Sequence, residues 1–167
     1  MAKFNPVDGG PDDDNLEGTN GKDIITGGGG SDVLYGLAKR DILDGGLDTS
    51  GFDQDSLYGG KGKDLFVFKT GYGDDTIEDF ELRKDGLDLS GTTFSRKDLK
   101  DVDKGGIIDD RDGDGNYVRE TSANGKPELQ LYFGGDEPGF DRITIIGVTL
   151  KEFKKDVKHY LDHYDFA

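Results

Sequence analysis

Apolar and polar positions between residues 18 and 78 recur neither every second place nor every third or fourth; they return every ninth. Asp23, Asp32 and Asp41 stand nine residues apart, and each is followed two places later by an aliphatic residue, Ile25, Leu34 and Leu43. The pair returns at Asp55 and Leu57, Asp64 and Phe66, and Asp75 and Ile77, making six copies from Gly18 to about Glu78. In each copy a glycine-rich run precedes a short segment with one apolar centre. That pattern predicts a turn, then a three-residue strand whose middle side chain points inward. Two copies make one coil, and stacked coils gather the inward residues into a thin core with the turns piled along both edges. No copy can bury its apolar residue alone.

The pattern weakens in the middle, where Leu37 and Lys39 replace expected glycines and the stretch from Gly45 to Asp55 exceeds the period. Residues 1–16, with Pro6, Pro11 and Asp12-Asp13-Asp14, show no period and read as a disordered leader or linker. Beyond Phe68, the segments Asp75–Phe80 and Asp85–Ser90 suit strands that close the array. Ile107-Ile108 and Tyr117-Val118 flank Asp109 to Asn116 as a hairpin, and Leu129–Phe133 with Ile143–Ile146 read as a further antiparallel pair. Thr149-Leu150-Lys151-Glu152 is a capping box opening a helix with Leu150, Phe153, Val157, Leu161 and Tyr164 on one face. The expected fold is all-β: a right-handed parallel β-roll, a form of β-helix or solenoid, over 17–90. An antiparallel β cap over 91–148 and a short terminal α-helix over 149–167 complete one structural domain.

Composition adds a thermodynamic problem. Only 32% of the residues are hydrophobic and 34% are charged, so little apolar area is on hand to offset the ordering of the backbone, roughly 1–2 kcal/mol per residue. There is no cysteine, and therefore neither a disulfide nor a thiolate metal site. Lys+Arg number 21 against 36 Asp+Glu, a formal charge of −15, which disfavours nucleic acid and anionic membranes as partners and favours cations. No stretch approaches the roughly 20 apolar residues of a membrane span, and the N-terminus lacks a Sec-type signal pattern.

Oxygen ligands remain. Gly27–Tyr35 and Gly59–Val67 fit G-G-x-G-x-D-x-U-x in full. Calcium takes six to eight oxygens, and glycine turns bring backbone carbonyls closer than side chains would allow. Alternate copies stack on one edge, so each Ca2+ is expected between copy n and copy n+2. The pairs are then Asp23 with Asp41, Asp32 with Asp55, Asp41 with Asp64, and Asp55 with Asp75. The plainer alternative is a polar solenoid whose aspartates bond their own turns. Asp110, Asp112 and Asp114 open a D-x-D-x-D-G loop that could hold a further Ca2+, although position twelve is Thr121; an acidic hairpin turn is the better explanation of the two. His159 and His163 have the spacing of a zinc pair without the glutamate of H-E-x-x-H, and read as solvated helix residues. No nucleophile elbow, P-loop or cysteine nucleophile is present, so no enzymatic activity is expected of this chain.

Residues 18–90 resemble the RTX, or hemolysin-type, calcium-binding repeat region, and Phe66–Phe68 through Asp75–Phe80 to Leu87–Ser90 resemble the C-terminal β-roll domain of serralysin-type proteases. The ends Ile143–Leu150 and Asp165-Phe166-Ala167 are similar to those of such exported proteins. The resemblance implies carbonyl ligands at Thr19 and Gly21 with Gly36 and Ala38, at Gly28 and Gly30, and at Gly59 and Lys61. It also implies a secreted, extracellular monomer that folds on Ca2+ binding and serves as the C-terminal folding and type I secretion domain of a bacterial protein. The alternative is a polysaccharide-binding accessory module of a carbohydrate-active enzyme such as an alginate epimerase.

Overall fold

The computed structural model describes residues 3–47, 53–94, 116–133 and 141–155. Its first nine strands are β1 (Asn5–Asp8), β2 (Asn15–Glu17), β3 (Asp23–Gly28), β4 (Val33–Tyr35), β5 (Ile42–Gly46), β6 (Ser56–Tyr58), β7 (Leu65–Lys69), β8 (Asp74–Ile77) and β9 (Gly86–Gly91). The chain crosses between two sheets at every turn: β1-β3-β5-β7-β9 form one sheet, and β2-β4-β6-β8 lie side by side in the other. Every neighbour pairing among them is parallel. Strand registers superpose Ile25 on Leu43, Leu43 on Phe66 and Phe66 on Leu87 in the first sheet, and Leu34 on Leu57 and Leu57 on Ile77 in the second. These are the predicted inward positions, and Ile25, Leu34, Leu43, Leu57, Phe66 and Ile77 are all fully buried. Each contributes about 1.5–3 kcal/mol relative to an exposed side chain. Their alignment explains why a one-residue register slip is not tolerated.

Three strands close the C-terminal end: β10 (Tyr117–Ala123), β11 (Lys126–Phe133) and β12 (Asp141–Ile146). The expected antiparallel pairing of 129–133 with 143–146 is present, with Leu129 opposite Ile145 and Leu131 opposite Ile143. Strand β12 then runs parallel to β8, which joins cap and roll into one seven-stranded sheet with a continuous core through Ile145, Val118 and Phe133. The helix α1 (Leu150–Lys155) begins at the predicted box: the Glu152 N–H donates to Thr149 Oγ1 at 3.3 Å and the Thr149 N–H to Glu152 Oε2 at 3.2 Å. Leu150 and Phe153 are buried against the core.

Two expectations need correction. Residues 5–8 and 15–17, assigned above to a disordered leader, are β1 and β2. Asn5 and Val7 take the places of an aspartate and its inward aliphatic, and Asp14 and Leu16 form a further copy opposite Asp32 and Leu34. Residues 74–77 are a rung, as their place as the sixth copy requires, and 86–91 are a further rung where closure of the array was expected, since β8 and β9 pair in parallel with β6 and β7. Strand β10 is turned back by Asn124-Gly125, both with positive φ (51° and 76°), into β11. The hairpin expected around Asp109–Asn116 falls mostly outside the described residues, as do Asp110, Asp112 and Asp114 and both histidines.

Candidate metal centre: two ladders of carboxylates

The turns align into two edges. The first edge holds turns 18–22, 36–40, 59–63 and 80–84, and the second holds 9–13, 27–31, the described residues 45–47 and 53–54, and 70–74. On each edge the aspartates at the sixth position stand in a column linked by one repeated hydrogen bond. The N–H of Asp23 donates to Asp41 Oδ1 at 2.8 Å, that of Asp41 to Asp64 Oδ1 at 2.9 Å, and that of Asp64 to Asp85 Oδ1 at 3.1 Å. Asp14, Asp32, Asp55 and Asp75 are linked in the same way on the second edge, at 2.8, 2.9 and 3.1 Å. The predicted pairs are therefore brought together, and the columns extend beyond them to Asp85 and Asp14. Asp85 follows a turn without glycine, closed by the N–H groups of Lys84 and Asp85 on the Glu81 carbonyl. Asn5 heads the first column as a donor, its Nδ2 bonding Asp23 Oδ1 at 3.0 Å.

With Oδ1 taken by the neighbouring rung, Oδ2 decides the chemistry. Near the ends it bonds its own turn, as the plainer reading supposed: Asp14, Asp23 and Asp85 accept the N–H of Gly10, Thr19 and Glu81. In the middle it does not. Asp32 Oδ2 and Asp41 Oδ2 are buried with no hydrogen-bond partner, a cost of about 1–3 kcal/mol for a neutral group and more for a charge. Each points to the glycine opening its own turn and to a carbonyl one coil further on. A Cβ on Gly36 would sit 2.8 Å from Asp41 Oδ2 and 2.7 Å from the Gly59 oxygen, and one on Gly27 would overlap both Asp32 Oδ2 and the Gly45 oxygen. Glycine is required there because carboxylate and carbonyl converge on the space a side chain would fill.

Burial pushes these carboxyls up: Asp41 to about 7, Asp64 to about 8, Asp55 and Asp85 to about 6, with Asp32 also raised and Asp75 well above the ordinary range. Backbone N–H donors oppose the rise and neighbouring aspartates add to it. A hard divalent cation fits this donor set, because it would return the buried carboxylates to their ionised form and take up the lone oxygens. Among the described residues no three carboxylates or imidazoles converge on one point, so carbonyls would supply much of the shell.

The carbonyl positions implied by resemblance are distributed unevenly. Gly36, Ala38, Gly59 and Lys61 meet on the first edge, where Ala38 bridges Lys61. There the Lys61 oxygen already accepts the Lys39 N–H at 2.6 Å, and the Gly59 and Gly60 N–H groups are held by Asp79. Thr19 and Gly21 lie in the turn below Gly36, with Thr19 Oγ1 accepting the Gly21 N–H. Gly28 and Gly30, at φ 121° and 96°, lie on the second edge, and the Gly28 oxygen accepts the Leu47 N–H. Asp79 and Asp141, which accepts the Gly71 and Gly73 N–H groups, are turn-closing carboxylates that the ninefold period does not reveal.

The RTX calcium-binding nonapeptide repeat family matches residues 8–43, 26–49 and 49–72. The AlgE6R3 subunit of the Azotobacter vinelandii mannuronan C5-epimerase, known from a solution structure, is 30% identical with a TM-score of 0.57, covering 90% of this chain and 80% of that one. The chain belongs to the RTX calcium-binding repeat family. The AlgE6R2 subunit of the same epimerase is 26% identical, with a TM-score of 0.61, over 97% of this chain and 94% of that one. No curated protein sequence matches. As an RTX module the chain is a calcium-binding β-roll, and the family match starts at residue 8, ahead of the first copy read from the sequence. Among the described residues no helix is long and apolar enough to cross a membrane.

Proposed function

We propose that this RTX module is folded by Ca2+, with the ions held between neighbouring coils by Asp23, Asp32, Asp41, Asp55, Asp64 and Asp75, joined by Asp14 and Asp85 and by the turn carbonyls. The observation that carries this reading is the pair of buried, unpartnered oxygens, Asp32 Oδ2 and Asp41 Oδ2, each facing a carbonyl of the next coil. Without a cation the roll must hold these carboxyls protonated or leave them uncompensated. Metal binding and folding are then one event. Extracellular modules bind calcium at about 0.1–1 mM, so the chain stays open in a cytosol and closes outside, which suits the end domain of a protein exported by a type I system. Circular dichroism of the full chain tests the folding step: the reading expects little regular structure in chelator and a cooperative gain as Ca2+ is added. Full β structure in chelator would refute it. Co-expression with a type I exporter, comparing medium with cells, tests the export step.

A second reading is favoured by the two solved structures, both subunits of a mannuronan C5-epimerase. In it, the roll is an accessory that holds a polysaccharide for a catalytic domain elsewhere. Retardation by immobilised polysaccharides, with and without Ca2+, tests it.

A further inference from the structure

The two edges of the roll carry opposite outward charge. Strand registers, carried back two places, put Lys22, Arg40, Lys63 and Lys84 in one column on the first edge. The same positions on the second edge hold Asp13, Ser31, Gln54 and Asp74, with Asp12 and Asp53 one place ahead of two of them. Lys39, Lys61 and Lys63 are exposed and, among the described residues, make no ion pair. Asp12 and Asp13 are exposed on the other side. Each edge also carries one leucine within the same coil. Leu37 precedes β5 in the first-edge turn, half-buried and held at φ 73°. Leu47 follows β5 on the second edge and is 57% exposed, one of two exposed large apolar side chains among the described residues.

We infer that calcium-loaded copies of this chain associate side by side, the first edge of one against the second edge of the next, in place of the monomer that the resemblance implies. This goes beyond the calcium reading above but rests on its folded roll, because neither column exists until the coils are stacked. Both edges belong to one roll, so their coils rise by the same step, about 4.8 Å. A neighbour shifted sideways without rotation therefore meets the first edge rung for rung. The shift sets cationic turns against acidic ones and brings Leu47 of one copy beside Leu37 of the next, an apolar centre within a charged rim. Because the contact joins unlike surfaces it does not close on itself, and each added copy leaves one free edge of each kind. Two like edges meeting about a two-fold axis would set cation against cation or acid against acid, which disfavours a closed dimer. Calcium also lowers the repulsion between copies. An ion at each of the six aspartate-to-aspartate steps would bring the net charge from −15 to −3.

Sedimentation equilibrium of the calcium-loaded full chain, with circular dichroism on the same samples, tests this through two variants that each spoil one edge. Lys39→Glu with Lys63→Glu spoils the first, and Asp12→Lys with Leu47→Ser spoils the second. The unaltered chain is expected to gain mean mass with concentration and to lose that gain in about 0.5 M salt. Each variant alone is expected to associate about tenfold more weakly. Mixed in equal amounts, the two should form a one-to-one complex as strong as the unaltered contact, since one keeps its second edge and the other its first. That complex should stop at two copies. A chain folded with Ca2+ that keeps the monomer mass at every concentration overturns the inference and leaves the calcium reading intact. So does association that neither variant weakens, or a mixture no stronger than its parts. A chain that fails to fold with Ca2+ overturns both.

Discussion

The two edges of the roll share one column of aspartates and differ in nearly everything around it. On the first edge the middle turn is Gly36-Leu37-Ala38-Lys39-Arg40, and Leu37 and Lys39 are forced to φ 73° and 77°, conformations that glycine takes without strain. On the second edge, Gly28 and Gly30 occupy the equivalent left-handed positions, and the outward charge is acidic or absent. The difference separates two demands on a repeat. The sixth and first positions answer to the inside of the turn, where carboxylate and carbonyl converge; the fifth answers only to solvent and to what binds there. The roll can therefore keep the same column of carboxylates on both edges while the outward charge differs between them.

The comparison can be broken most severely at the columns. Asp41→Asn and Asp32→Asn each keep an oxygen for the neighbouring N–H but remove the charge shared by two coils. Each should lower stability in Ca2+ by roughly 3 kcal/mol, read as a drop in Tm at fixed calcium, with little further loss in chelator. If the two edges use the same chemistry, the two drops agree. Filling the cradles comes next: Gly36→Ala and Gly27→Ala put a methyl between carboxylate and carbonyl and should each cost about 2 kcal/mol, with calcium affinity falling in parallel.

Proton competition is a gentler probe. Asp41, Asp64, Asp55 and Asp85 sit at about 7, 8, 6 and 6 in the metal-free fold, against an ordinary 3.8. A carboxyl raised on folding stabilises the folded state below its ordinary value, and that contribution is lost as pH rises through the folded one. In chelator, acidification from pH 8 towards 4 should therefore increase β structure. In Ca2+ the sign reverses, because the ion needs ionised ligands: affinity should fall as pH drops from 8 to 6, and calorimetry should record proton release on binding. The smallest effect sharpens the contrast between the middle turns. Leu37→Gly removes the left-handed strain on the first edge and should stabilise the calcium-loaded roll by about 1 kcal/mol, seen as a raised Tm.

What was legible in the sequence follows the same division. The inward aliphatics and the aspartates from Asp23 to Asp75 were readable because stacking fixes both to one period. Asp14 escaped because Asp12 stands where its turn would carry the fourth-position glycine, although Gly9-Gly10 keep the first two, and Asn5 because an amide there bonds the column by donating to Asp23. Asp85 was hidden by a turn built on Glu81 carbonyl bonds. The β10–β11 hairpin had a local signal in Asn124-Gly125 that the longer acidic stretch obscured. The alignment of Lys22, Arg40, Lys63 and Lys84 on the first edge was invisible to net charge, since it arises only when residues at intervals of 18 to 23 places are laid side by side.

The most direct test is the anomalous scattering of calcium in a crystal of the full chain grown with the ion. The account predicts peaks inside the turns, among them one within bonding distance of Asp41 Oδ2 and the Gly59 carbonyl and one beside Asp32 Oδ2 and the Gly45 carbonyl. An ordered roll with no calcium peak at those oxygens would contradict it.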